Sequence, residues 1–278
     1  MEKDKENNHA TYIIDFINKF CEQKDKPITI FLKHLFCEDI KKGNREHKNY
    51  GIIGKYLEYV KKEIKNPENK KIFGDIKEKE AQEFLEKIEN HIVRHIYKYV
   101  YPTKKSSNDY KFLKLTQSLD WIQPEHLDIK KLYVNQLKFA EKSMKRIDEE
   151  KSVIDKLECI HNAYIAMNNT VKFISGKNED AGQDELTPLF QYVLIKSRPS
   201  FLFTNIFYIK SILSEADLIG PKGFYVSQME SAADFINQIN NDTFKMSKED
   251  FDRKKQECLR KYNENIDNEN KTEISKKT

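Results

Sequence analysis

Apolar side chains recur at steps of three and four residues along most of this chain, and residues that end helices seldom interrupt them. In 278 residues there are only 8 glycines and 7 prolines. The stretch KEAQEFLEKIENHIVRHIYKYVYP keeps the helical spacing until Pro102, which ends it because proline lacks the N–H that a helix interior needs. We therefore predict an all-α fold of long helices and short connections.

The chain is long enough to form two units, each with its own core. Its 38% hydrophobic and 12% aromatic content is too high for a disordered chain. Trp121 stands just before a Gln-Pro step that predicts a rigid elbow, and we place the domain boundary beyond it. The predicted parts are a disordered N-terminus (1–10), a helical bundle (11–128), a second helical domain packed against it (129–245), a closing C-terminal helix (246–262) and a disordered tail (263–278).

The charges and cysteines exclude several classes of protein. The 49 Lys and Arg are interleaved with 45 Asp and Glu, so no face is built for nucleic acid. No apolar run approaches the 18 residues of a transmembrane helix. The four cysteines form no CxxC pair, and no secretory leader precedes them, which favours reduced thiols in the cytoplasm.

Few residues carry a recognisable catalytic pattern. His91 and His95 lie four apart, so they share a helical face and form a candidate metal pair, but they lack the HExxH order and a third ligand. Cys159 and His161 are two apart, where helical side chains diverge, which disfavours a thiol nucleophile. Nucleotide-binding glycine motifs are absent from the sequence. We predict no cofactor and no metal.

An acid pair, Asp184 and Glu185, precedes Pro188 and an apolar helical pattern. Because proline is comfortable only in the first turn of a helix, both acids are expected at or before the helix start. There Asp184 either caps the helix or interacts with its dipole, a role worth about 1 kcal/mol, or it projects towards a partner. The residues alone leave both readings open.

The surrounding sequence resembles one family. DELTPLFQYVLIKSRPSFLFTNIFYI followed by GFYVSQMESAADFI resembles the vacuolar protein sorting nine (Vps-nine) domain. That pattern has an Asp-acid pair, a proline four residues after the Asp, a helix ending in Lys-x-x-Pro, an Asn-Ile-x-Tyr-Ile run and a Gly-Tyr-Tyr-x-Thr helix. The resemblance is strong over about 150–253. Weaker similarity over about 84–150 is to the helical bundle of Rabex-type exchange factors.

The resemblance implies guanine nucleotide exchange on Rab-five-subfamily GTPases in endosomal membrane traffic, without covalent chemistry. Asp184 would be the catalytic acidic finger that opposes Mg²⁺ and phosphate, and Glu185 a solvated charge. The residues that would contact the GTPase are Pro188, Asn205, Phe224, Tyr225 and Ser227. Phe224 replaces the first family tyrosine and lacks its hydroxyl, Ser227 is equally a helix cap, and Asn205 is equally a buried residue that holds loop backbone.

Two rival hypotheses accompany this one. The chain is alternatively a helical adaptor that binds a GTPase without catalysing exchange, or a metal enzyme that uses His91 and His95. For an exchange factor we expect a cytoplasmic protein that other proteins recruit to early endosomes.

Overall fold

The computed structural model describes residues 101–130, 133, 135–176, 179–213 and 215–277, together with Lys79, Glu83, Glu86, Asn90, Val93, Arg94 and Tyr97. The predicted helices before residue 79 lie outside the described residues, as do His91 and His95.

Eight α-helices and two short 3₁₀ turns follow one another in the described part, which contains no strand. The all-α prediction is confirmed there. The 3₁₀ turns span Pro124–Leu127 and Asp242–Phe244. The helices are α1 Ser107–Ser118, α2 Lys138–Arg146, α3 Val153–Ser175, α4 Gln183–Ser197, α5 Leu202–Ile212, α6 Glu215–Ile219, α7 Pro221–Gln238 and α8 Lys248–Lys277.

The chain divides into two units at a different place from the predicted boundary. One unit comprises Met1–Pro102 with Ser211–Ser214, and the other Thr103–Lys210 with Glu215–Thr278. Residue 128, where we placed the boundary, therefore lies inside the second unit. The cause is long-range hydrogen bonding that the helical pattern does not reveal. Asp109 on α1 accepts the Phe203 N–H at 2.8 Å at the start of α5, and Lys196 donates to the Asp120 carbonyl at 2.7 Å.

Helices α3, α4 and α7 pack against one another and carry much of the core of the second unit. Ser152 caps α3 by accepting the Asp155 N–H at 3.0 Å. The helical spacing of apolar residues predicts one buried face for α3, and the structure buries all six of its residues, Leu157, Ile160, Ala163, Tyr164, Met167 and Val171. The spacing of apolar residues thus fixes which side of α3 faces inward.

Helix α8 begins where the sequence predicts and ends later. The Ser-x-x-Asp spacing of Ser247 and Asp250 predicts a cap, and the structure confirms it, because the Ser247 hydroxyl donates to the Asp250 carboxylate at 3.0 Å and accepts the Asp250 N–H at 3.1 Å. The helix continues to Lys277 instead of ending at residue 262 before a disordered tail. Its sequence contains no glycine or proline, and pairs such as Arg260–Glu264 at 2.7 Å support a polar helix.

The closing helix packs against α1 and against the aromatic elbow. Phe251 is buried with its ring 5.9 Å from that of Trp121, and Lys254 Nζ lies 5.0 Å from the same indole ring. An edge-to-face aromatic pair and a cation over an indole are both favourable contacts. None of the described helices is long and apolar enough to cross a membrane.

Helix α7 starts earlier than predicted. Ser227 and Glu230 have the Ser-x-x-Glu spacing that predicts a capping box, but the helix begins at Pro221, after Gly220. Ser227 lies inside it and donates to the Phe224 carbonyl at 2.9 Å. Proline at the first helical position is the stronger start signal because its fixed φ suits a helix and its missing N–H has no role there.

Candidate functional site

The acid pair lies in the first turn of α4. The helix begins at Gln183 after Gly182, so Asp184 is its second residue and Pro188 lies inside it. Our prediction that both acids lie at or before the helix start is therefore wrong by about half a turn. Pro188 lies in the second turn, where its missing N–H leaves only the Asp184 carbonyl without an intrahelical donor.

The Asp184 side chain does not cap the helix, because the cap position is occupied by Gly182 and the Asp184 carboxylate accepts no N–H from the described first turn. Both acids are exposed, and neither carboxylate has a hydrogen bond or ion pair to any residue that the structure describes. Asp184 has a neighbour that its side chain contacts closely. Its Oδ1 lies over Gly182, in the space that a Cβ at residue 182 would fill. A free carboxylate at the positive end of a helix dipole is the main chemical feature of this surface.

The loop before α4 is fastened to α3 by three polar contacts. Asn168 Nδ2 donates to the Asp180 carboxylate at 2.6 Å, and Asn168 Oδ1 accepts the Ala181 N–H at 2.8 Å. Lys172 Nζ pairs with the same Asp180 carboxylate at 2.7 Å. This pairing and the Asn168 bond hold the pKa of Asp180 below its usual range. No motif in the sequence pointed to Asn168, Lys172 or Asp180.

One turn earlier on α3, an aromatic cluster joins α3, α4 and α7. The Tyr164 ring lies 4.9 Å from that of Phe190, 5.9 Å from that of Phe224 and 5.7 Å from that of Tyr225. Phe224 remains 39% exposed and Tyr225 half-buried. Because residues 164 and 168 share a face of α3, the cluster and the loop before Asp184 lie on the same side of that helix.

Two hydroxyls of this cluster have polar partners. The Tyr225 hydroxyl lies 2.5 Å from Nδ1 of the exposed His161, and their rings pack edge to face with centroids 5.4 Å apart. The Tyr164 hydroxyl donates to Gln228 Oε1 at 3.2 Å, and burial raises the pKa of Tyr164. Sequence reasoning missed His161 as a neighbour of Tyr225, because the two are separated by 64 residues.

Gly223 sets the position of the aromatic pair that follows it. A Cβ at this residue would overlap the backbone carbonyl of Leu218 on α6. Only glycine allows α7 to approach α6 so closely, so Gly223 fixes where Phe224 and Tyr225 emerge.

One segment of the chain matches a family of known proteins. Residues 137–241 match the family described as the "Vacuolar sorting protein 9 (VPS9) domain", inside our predicted 129–245. The chain contains a Vps-nine domain. The predicted resemblance is thereby confirmed.

Relatives of this chain carry consistent names. "Vacuolar protein sorting-associated protein 9A" of Oryza sativa is 29% identical over 64% of this chain and 38% of its own length. Its namesake in Arabidopsis thaliana is 32% identical over 51% of this chain and 28% of its own. "Rab5 GDP/GTP exchange factor" of Homo sapiens is 28% identical over 65% of this chain and 38% of its own. The matches thus span less than two fifths of these relatives.

Asn205 of the Vps-nine pattern is not at the surface. It is 0% exposed, its Oδ1 accepts from Lys156 Nζ at 2.8 Å, and its Nδ2 donates to the Asp148 carboxylate at 2.8 Å. Asp148 also accepts the Ser200 N–H at 2.5 Å and the Phe201 N–H at 3.3 Å, between α4 and α5. In this conformation Asn205 cannot line a groove, and the prediction that it contacts the GTPase is corrected. Its side chain belongs to a buried hydrogen-bond network that holds the backbone of the loop between α4 and α5.

Burial perturbs the two ionisable members of this network. It lowers the pKa of Lys156 to about 8 and raises the pKa of Asp148. Lys156 is fully buried and also donates to the Ile147 carbonyl at 2.7 Å. The network is therefore satisfied but sensitive to the loss of any member.

A thiol nucleophile at Cys159 finds little support, whereas His91 and His95 of the rival metal site lie outside the described residues. Cys159 is 3% exposed, and burial raises the pKa of its thiol to about 11, so its reactive thiolate is scarce at neutral pH. His161 faces Tyr225. The described residues include no group of three or more His, Cys, Asp or Glu that could hold a metal ion.

Proposed function

We propose that this chain is a guanine nucleotide exchange factor for Rab-five-subfamily GTPases, acting in endosomal membrane traffic. The observation that carries the proposal is the exposed, unpaired Asp184 carboxylate at the start of α4, beside the aromatic surface of a Vps-nine domain. The relatives named as Rab5 exchange factors support it. We further propose that the protein is cytoplasmic and that other proteins recruit it to early endosomes.

Exchange of this kind requires no covalent step. A GTPase holds GDP through a phosphate-loop lysine and Mg²⁺. A factor that binds the nucleotide-free state more tightly weakens nucleotide binding, and by linkage the nucleotide weakens binding of the factor by the same ratio. GTP then replaces GDP and releases the factor.

Asp184 supplies the charge for this competition. When its carboxylate enters the nucleotide site it pairs with the phosphate-loop lysine and repels the phosphate groups. Two unit charges 4 Å apart interact by about 4 kcal/mol at an effective dielectric constant of about 20, which is ample to change nucleotide affinity many-fold. Because no described residue pairs with Asp184, the charge does not have to be released before it acts.

The neighbouring side chains would receive the GTPase switch regions. Phe224 offers an apolar ring, Tyr225 a ring with a polar tip, and Ser227 an exposed hydroxyl one turn further along α7. An aromatic patch with polar groups at its edge is the composition expected of a protein interface. Pro188 on α4 completes this proposed contact surface.

A turnover assay tests the proposal. Rab-five-subfamily GTPases and several other Rabs are loaded with fluorescent GDP and mixed with one-fiftieth of their concentration of the full chain. We expect complete and accelerated release from a Rab-five-subfamily member, because each molecule acts repeatedly. Binding without acceleration would support the adaptor hypothesis, and acceleration confined to other Rabs would overturn the proposed subfamily.

Gly182→Ala should slow exchange without destabilising the protein. The new Cβ would occupy the space of Asp184 Oδ1 and turn that carboxylate away, and a side-chain tip moves at little cost. Gly182 has φ −70 and ψ 163, which alanine adopts without strain. We expect exchange to fall about tenfold, with a melting temperature within about 2 °C of the wild type.

Gln183→Ala is the matched control, because residue 183 is exposed at the adjacent position. It should exchange at the wild-type rate. A Gly182→Ala variant with full activity would show that the present direction of the Asp184 carboxylate does not matter.

A further inference from the structure

We infer that Asn168 is a positioning residue for Asp184, acting through a latch formed by Asn168, Lys172, Asp180 and Ala181. This inference rests on the proposed function and adds the group that holds the acidic finger in place. Neither a sequence motif nor the acid pair itself indicates such a group.

The latch holds the loop at two points. Asn168 uses both ends of its amide, donating to the Asp180 carboxylate at 2.6 Å and accepting the Ala181 N–H at 2.8 Å. The two contacts hold a side chain and the backbone of consecutive residues, so they fix the direction of the loop as well as its distance from α3. A side chain with one polar function cannot make both contacts.

The latch lies only a short distance along the chain from the catalytic group, Asp184. Ala181 directly precedes Gly182, the N-terminal cap residue of α4, and Asp184 is the second residue of that helix. The acid is therefore only three positions after the fixed amide along the chain. Met167 and Val171, on either side of Asn168, anchor α3 in the core. The latch therefore fixes the position of Asp184 relative to a rigid helix.

The charges within the latch compensate each other. Lys172 Nζ lies 2.7 Å from the Asp180 carboxylate, so the charge of Asp180 is compensated within the latch. Asp180 is exposed, which makes the ion pair weak by itself. The Asn168 side chain is half-buried, and its part-buried bond to the Ala181 N–H is the more important part of the latch.

The experiment measures the rate at which a Rab-five-subfamily GTPase loaded with fluorescent GDP releases it, against increasing excess of the 278-residue chain. For Asn168→Ala we expect the maximal rate to fall about tenfold, with the half-saturating concentration changed less than about twofold. Partial unfolding would instead raise the half-saturating concentration and leave the maximal rate unchanged, because only the active fraction would fall. Asn169→Ala, at the adjacent exposed position, should behave as wild type.

A polarity swap provides a second variant. Asn168→Asp still accepts the Ala181 N–H but places a carboxylate against Asp180, so exchange should slow. Adding Asp180→Asn supplies an amide donor in the reverse direction and should restore most of the maximal rate. Failure of the pair to recover while Asn168→Asp is slow would overturn a hydrogen-bonded latch.

A structural readout separates this inference from the proposed function. Amide hydrogen exchange of residues 179–186 should quicken in Asn168→Ala, while that of the core of α3 stays unchanged. If those amides exchange as in the wild type, the latch does not exist, whatever the activity. If the wild-type chain releases no GDP, the proposed function fails and hydrogen exchange still decides the latch. If the wild type is active and Asn168→Ala keeps its maximal rate, only the latch inference fails.

Discussion

Asp184→Ala should reduce the maximal rate of GDP release at least about 100-fold, which corresponds to about 2.7 kcal/mol of lost stabilisation of the nucleotide-free complex. The residue is exposed, and its carboxylate has no partner among the described residues, so its removal should leave the fold intact. Release of fluorescent GDP, with thermal unfolding measured in parallel, checks both expectations.

Two further variants sharpen this test. Asp184→Asn keeps the size and removes the charge, and it should be almost as slow as Asp184→Ala if charge is what displaces phosphate. Glu185→Ala removes the adjacent exposed acid and should stay within about twofold of wild type, because a neighbour on a helix points about 100° away. Equal losses at both positions would replace a single acidic finger with a general negative patch.

Asn205→Ala should cause the largest loss of stability that the described structure predicts. It removes one partner each from Lys156 Nζ and Asp148 Oδ1, and it leaves a fully buried ammonium and a part-buried carboxylate incompletely satisfied. Breaking a buried charged network in this way costs about 3 kcal/mol or more. For a domain of this size the melting temperature should fall by about 6 to 12 °C.

The same variant tests where Asn205 acts. At a temperature at which Asn205→Ala is still folded, we expect its maximal exchange rate to remain within about threefold of wild type, because the residue is buried away from any partner. Asn169→Ala, an exposed asparagine on α3, is the stability control. A stable Asn205→Ala with severely reduced exchange would contradict the structural role and return Asn205 to the contact surface.

Much of the fold follows from local pattern. The inward face of α3, the cap of α8 at Ser247 and the absence of strands in the described part all depend on residues within a few positions of each other. Helix ends were harder to predict. The Ser227–Glu230 pair imitates a capping box inside α7, and the polar end of α8 lacks the apolar spacing by which a helix is recognised.

The candidate site was predictable to the extent that it resembles a family. That resemblance selected Asp184 from two acids that the residues alone could not tell apart. It also selected Asn205 for a surface from which the fold excludes it, because a sequence pattern records that a residue matters and not which way it faces.

The sequence by itself determined the helical class, the buried faces and the family, since periodicity and motif spacing are properties of neighbouring residues. Only the tertiary structure decided which residues support the site. Lys156 and Asn205 are 49 positions apart, His161 and Tyr225 are 64, and Asp109 and Phe203 are 94. Hydrogen bonds over such separations depend on how whole helices pack, and a linear pattern does not carry that information.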